Sequence, residues 1–162
     1  MRLTTRTNLA VRGLMVCAAH CDRRVISAEI ARKCNCFAHH LARVVRKLQA
    51  NGIVVTARGR AGGVRIGRPV ERASIGVVAG LFEAGIPPGE CFSPVSNTCP
   101  LVEVFRLRRD LVRALDAFRH ELDRITLEDL VQRSCGLADS LSMTPQAPGP
   151  CPRPSRLVDP AA

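Results

Sequence analysis

The side chains able to do chemistry in this sequence fall into two sets, eight cysteines and a concentration of basic groups toward the N-terminal end. Thiols can ligate metal, act as redox groups, or simply pack as small apolar side chains. Cys17 and Cys21 lie one helical turn apart, a spacing that suits the inner face of a helix. Cys34 and Cys36 flank a single Asn, so Cys34 is expected inside the fold and Cys36 partly exposed at a turn. Cys91 and Cys99 stand apart, in a stretch rich in proline and glycine; Cys135 and Cys151 have no informative spacing. The basic set is His39, His40, Arg43, Arg46 and Lys47 in one segment, then Arg58, Arg60 and Arg65 in the next.

The distribution of charge gives the second set its meaning. The 162 residues carry a net +10, but residues 1–72 hold 15 Lys and Arg against three acids, Asp22, Glu29 and Glu71. The remaining residues are close to neutral. A basic half joined to a near-neutral half predicts a polyanion-binding module attached to something else. The absence of Trp and Tyr argues against stacking on single-stranded bases and leaves duplex nucleic acid as the expected partner.

The hydrophobic pattern supplies elements to position these groups. Ala10, Leu14, Cys17, Ala18 and Cys21 recur at helical spacing over residues 7–21. Ser27 is expected to cap a second short helix, with Ile30, Ala31 and Cys34 inward. Asn35 suits the left-handed turn between helices. A third helix over residues 37–50 has Leu41, Val44, Val45 and Leu48 as its apolar stripe and ends at Asn51-Gly52. Two β-branched runs, 53–56 and 64–66, flank the glycine- and arginine-rich turn 57–63, which predicts a hairpin.

The expected fold is mainly α with a small β-hairpin wing: a winged helix-turn-helix over residues 1–72. Residues 73–100 should form a connecting helix, from Ser74 to Ala84, and a loop containing Cys91 and Cys99. Residues 101–133 should hold a long amphipathic helix with Val104, Leu107, Leu111, Leu115, Phe118 and Leu122 apolar, then a short helix capped by Thr126. The long helix suits dimerisation, so a homodimer is expected. Residues 134–162, with six prolines from Pro145 to Pro160, read as a disordered tail.

A helix fits the major groove of B-DNA. The third helix should present His39, His40 and Arg43 to base edges, and Arg46 and Lys47 to phosphates. Arg58, Arg60 and Arg65 would add wing contacts, with a tip arginine entering the minor groove. The glycine run leads into a strand and lacks a Gly-Lys-Ser/Thr ending, so it is no phosphate-binding P-loop. No paired nucleophile and base or zinc-hydrolase spacing suggests an enzyme. The apolar stretch 75–86 is broken by Glu83 and too short to span a bilayer, so the expected location is cytoplasmic.

The opening segment 1–12, from Met1-Arg2-Leu3-Thr4-Thr5 to Val11-Arg12, and the wing Arg58-Gly59-Arg60-Ala61-Gly62-Gly63-Val64-Arg65-Ile66 resemble the Rrf-type winged-helix transcriptional regulators. Glu90-Cys91 to Cys99-Pro100-Leu101-Val102 and Thr126-Leu127-Glu128-Asp129-Leu130-Val131 resemble most the nitric-oxide-sensing NsrR and iron-responsive RirA branches. The resemblance implies a repressor whose affinity for a pseudo-palindromic operator is set by an iron–sulfur cluster, 2Fe–2S or 4Fe–4S, with Cys91 and Cys99 as ligands. The family's third cysteine would fall at Phe105, which cannot ligate iron. An acidic residue near the N-terminus that completes the site in some relatives is Asn8 here. Four readings stay open: a cluster with unusual or exogenous ligands, a cluster shared by two subunits, a metal-free thiol switch, and a DNA binder without a sensor. Outside the family, a non-specific basic nucleic-acid-binding protein is the alternative.

Overall fold

The computed structural model describes residues 3–59, 62–85, 92–93, 97–98, 100 and 106–132. Arg60, Cys91, Cys99, Phe105, Cys135, Cys151 and the proline-rich tail lie outside the described residues. Six α-helices and a two-stranded antiparallel hairpin make up the described fold, as the sequence pattern predicts.

Helix α1, Thr5–Ala19, is the hub. The Thr4 hydroxyl accepts from the Thr7 backbone N–H at 3.3 Å and starts it. Its inner positions, Leu9, Ala10, Leu14, Val16 and Cys17 among them, are buried against α3, α4 and α6. The helix stops before His20, which leaves Cys21 exposed rather than on the inner face where helical spacing put it.

Helix α2 spans Ser27–Lys33, and its N-cap is Ile26, not Ser27. The cause is tertiary. Val25 exchanges two backbone hydrogen bonds with Val64, each 2.8 Å, and this bridge holds the chain extended up to Ile26. Ser27 is thereby carried into the first turn. Asn35, at φ 47°, makes the tight left-handed turn into α3, Ala38–Ala50. Leu41, Val44 and Leu48 fasten α3 to the core, and Val45 is half-buried.

Strands β1, Val54–Ala57, and β2, Gly63–Ile66, pair with Val54 opposite Ile66 and Thr56 opposite Val64. Gly63 is forced: its φ is 146°, and a Cβ there would lie 2.8 Å from the Val25 carbonyl oxygen. The same backbone approach that displaced the α2 cap therefore needs a glycine in the wing.

A single 3-10 turn, Val70–Arg72, leads to α4, Ile75–Glu83, capped by Ser74. Helix α5 spans Arg106–Asp123 and α6 Leu127–Gln132. Thr126 and Asp129 form a reciprocal cap. The Thr126 hydroxyl accepts from the Asp129 N–H at 3.1 Å, and the Asp129 carboxylate accepts from the Thr126 N–H at 3.0 Å. Backbone bonds from Ile75 to Ile125 and from Leu127 to Ala73 bring this joint back to the start of α4. Leu127 is fully buried in the core that α1 organises. Helix α5 buries no residue completely and leaves Leu107, Leu111, Val112 and Phe118 exposed. Among the described residues, no helix is long and apolar enough to cross a membrane.

Candidate nucleic-acid interface

Helix α3 has no acidic residue, and its apolar stripe fixes what its other faces present. At about 100° per residue, Leu41, Val44 and Leu48 share the inward face, and His39, Arg43 and Arg46 point the opposite way. All three are exposed. His40 and Lys47, also exposed, sit on the flank instead. There they border a cleft of about 520 Å³ with Arg6, Leu9, Arg43 and Phe82. The Lys47 Nζ stands 5.3 Å from the centre of the Phe82 ring, close enough for a cation–π contact. The five α3 residues singled out in the sequence thus run from an outer face, His39 and Arg46, to a flank shared with α4, His40 and Lys47, with Arg43 between the two.

In the wing, Arg58 is exposed where β1 ends. Arg65 is exposed on β2, directly opposite the exposed Val55 of β1. Among the described residues, Arg43, Arg46, Lys47, Arg58 and Arg65 make no ion pair with an acid.

Other basic groups of the same module are committed to the fold. Arg68 donates to the Asn51 carbonyl at 2.6 Å and to the Gly52 carbonyl at 3.3 Å, satisfying the end of α3. Glu29 accepts two bonds from Arg23, at 2.8 and 3.0 Å, and lies 3.6 Å from the Lys33 ammonium. The Arg23 hydrogen bonds hold the Glu29 carboxyl below its usual range, against an opposing push from burial. Arg23, Lys33 and Arg68 thus tie the fold together, whereas Arg43, Arg46, Lys47, Arg58 and Arg65 are exposed on α3 and the wing.

Sequence reasoning missed Phe37. It is the N-cap of α3 and 73% exposed, with its ring stacked on His39. The available signal was an aromatic residue at a helix start, where a small polar residue is favoured.

Burial pushes the Cys17 thiol up to about 12, with Cys34 and Glu29 adding to the effect, and raises Cys34 as well. Both are buried, as the spacing of Cys34 predicted, and Cys36 is half-buried. Asn8 is exposed on α1. Among the described residues, no group of three or more His, Cys, Asp or Glu side chains is arranged to hold a metal ion.

Three helices, a turn held by Asn35 and a wing with solvent-facing arginines define a winged-helix DNA-binding regulator. The chain belongs to the Rrf2 family of transcriptional regulators, whose model, described as an iron-dependent transcriptional regulator, matches residues 3–133. Protein aau3 of Rhizobium meliloti is 39% identical over 132 residues, covering 82% of this chain and 86% of its own length. The HTH-type transcriptional regulator NsrR of Geobacillus kaustophilus is 35% identical over 142 residues, covering 87% of this chain and 97% of its own. Among solved structures, CymR, the global cysteine regulator of B. subtilis, superposes with a TM-score of 0.65 at 24% identity. That match covers 83% of this chain and 98% of CymR and shows the shared fold.

Proposed function

We propose that this chain is a homodimeric, cytoplasmic transcriptional repressor that reads a pseudo-palindromic DNA duplex and is switched through the loop bearing Cys91 and Cys99. The observation that carries the DNA reading is the set of exposed cations on α3 and the wing, unpaired with acids among the described residues. His39, His40 and Arg43, in the N-terminal half of α3, are the base-reading groups, and Arg46 and Lys47 hold phosphates. Arg58 and Arg60 enter the minor groove, and Arg65 supports them from β2.

The functional division follows the same plan: residues 1–72 bind DNA, 73–100 connect and sense, and 101–133 dimerise. Leu107, Leu111 and Phe118 of α5 supply the apolar face for a second copy. Leu111→Glu should sediment as a monomer, and an unchanged dimer would remove α5 from the interface.

The DNA reading is tested with a pool of duplexes carrying a random core. Wild type should enrich a sequence with two related half-sites. On that duplex, the slope of log K against log salt should become shallower in an Arg46→Ala, Lys47→Ala variant, by about 0.9 for each phosphate the protein no longer neutralises, and an Arg43→Ala, Arg58→Ala, Arg60→Ala triple variant should lose its preference for the enriched sequence. Tight, sequence-selective binding by the triple variant would overturn the assignment.

Iron–sulfur clusters of either type take four protein ligands, chiefly thiolates. Cys91 and Cys99 supply two, Phe105 none, and Asn8 only a neutral amide. Cys17 and Cys34 are kept protonated by burial. Of the ligand positions that the resemblance assigns, one chain fills two with thiolates, and the DNA reading requires no cluster: it needs only the cations of α3 and the wing.

A second reading is favoured by the resemblance to the nitric-oxide-sensing branch and by the identity with NsrR relatives. In it, Cys91 and Cys99 hold a 2Fe–2S or 4Fe–4S cluster with further ligands from elsewhere, and nitric oxide is the signal. Anaerobic purification separates the two readings. A visible sulfur-to-iron band that bleaches with nitric oxide supports the cluster, whereas a colourless protein free of iron and sulfide leaves a thiol switch.

A further inference from the structure

The Phe37 side chain neither caps α3 nor packs in the core. It occupies the N-cap of α3 with φ −71° and ψ 140°, and its side chain makes no capping bond. Ser, Thr, Asp or Asn at this place would satisfy one of the free N–H groups of the first turn. Phenylalanine gives up that bond and leaves a large apolar ring in water, 73% exposed. A residue that breaks two local rules at once, on a surface of solvent-facing cations, marks a functional position.

The ring is braced. It stacks on His39 with centroids 5.7 Å apart and planes 19° from parallel, and lies 6.2 Å from the His40 ring. The two imidazoles are themselves 4.1 Å apart. The result is an aromatic platform at the leading end of α3, on an acid-free helix whose outer face continues as Arg43 and Arg46. The N-terminal end of a recognition helix is the part that meets base edges. In the major groove, the apolar feature that distinguishes one base from the others is the 5-methyl group of thymine.

We propose that Phe37, held in place by His39, is a specificity-determining residue that packs against the 5-methyl group of one thymine in each half-site. This rests on the DNA reading above. The cost of an uncapped helix start and an exposed ring is retained because the ring is covered when DNA is bound.

The experiment uses the full chain and the duplex it enriches from the random-core pool. Each thymine is replaced singly by deoxyuridine, which lacks only the methyl group. Wild type should lose about fourfold in affinity at one thymine of each half-site, the worth of one buried carbon. Phe37→Ser should bind the thymine and uracil duplexes equally. Its Tm should rise by about 2–4 °C, because serine restores the cap.

Indifference of wild type to every uracil substitution overturns the role of Phe37 and leaves the DNA reading standing. The same follows if Phe37→Ser still discriminates, or if it melts below wild type, which would make the ring structural. A pool from which wild type enriches no sequence overturns the DNA reading and this inference together.

Discussion

The hydroxyl of Thr7, fully buried on α1, donates to the carboxylate of Glu83 at the end of α4. The Thr4 N–H donates to the same oxygen at 2.8 Å. This one carboxylate therefore ties the element that leaves the winged module to the first turn of the helix at its centre. Burial alone would push the Glu83 carboxyl up, but the bonds from Thr7 and Thr4 outweigh it and hold the group below its usual range. A carboxylate depressed on folding contributes stability above its unfolded value, about 4.3, and loses it as pH falls through the lower folded value. Glu83→Gln cannot titrate. The urea midpoints of wild type and Glu83→Gln should therefore keep a constant difference from pH 7 to pH 5 and converge under acid conditions. Parallel curves down to the acid limit would show that the carboxylate is not held this way. Glu83→Ala should cost about 1 kcal/mol at neutral pH, below the usual worth of a charged hydrogen bond because the group is partly solvated.

Two glycines of α4 separate space from propensity. At Gly76, a Cβ would lie 2.7 Å from the Asp123 backbone nitrogen and would run into the Asp123 carboxylate. At Gly80, one turn on and exposed, a Cβ would meet nothing within 4 Å. Alanine should act in opposite directions at the two sites. Gly76→Ala must push the end of α5 away from α4 and should destabilise by about 1–3 kcal/mol. Gly80→Ala only restricts the unfolded chain and should stabilise by about 0.4–1 kcal/mol. Denaturant titration of both variants reads the comparison, and equal effects would refute the close packing of α4 on α5.

What the sequence made legible was chemistry that acts over a few residues. Asn35 at the turn, Gly52 after α3 and Thr126 before α6 each stand where a backbone conformation or a free N–H asks for that residue type. The apolar stripe of α3 was legible for the same reason, and with it the outward course of Arg43 and Arg46. What depended on distant partners was not legible. The Val25 bridge to Val64 is one residue long, too short to show any strand period, yet it moved the α2 cap from Ser27 to Ile26. Thr7 and Glu83 are 76 positions apart, and neither residue type announces the other. The flank position of Lys47 became meaningful only once α4 brought Phe82 beside it.

Cys17 and Cys21 carry the same distinction into reactivity. Their spacing gave them one role, but α1 ends before His20 and separates them: Cys17 is buried and Cys21 exposed. With its thiol pushed up to about 12, Cys17 stays protonated at pH 8, and burial also blocks a reagent's approach. Iodoacetamide at pH 8, followed by peptide mass mapping, should therefore modify Cys21 rapidly and leave Cys17 unmodified until the protein is unfolded in urea. Cys34, buried and also raised, should follow Cys17 rather than its neighbour Cys36, which is half-buried. Labelling of Cys17 at the rate of Cys21 under native conditions would mean that α1 opens readily around its own core, and the packing of α1 against α3 and α4 would have to be abandoned as the feature that positions α3.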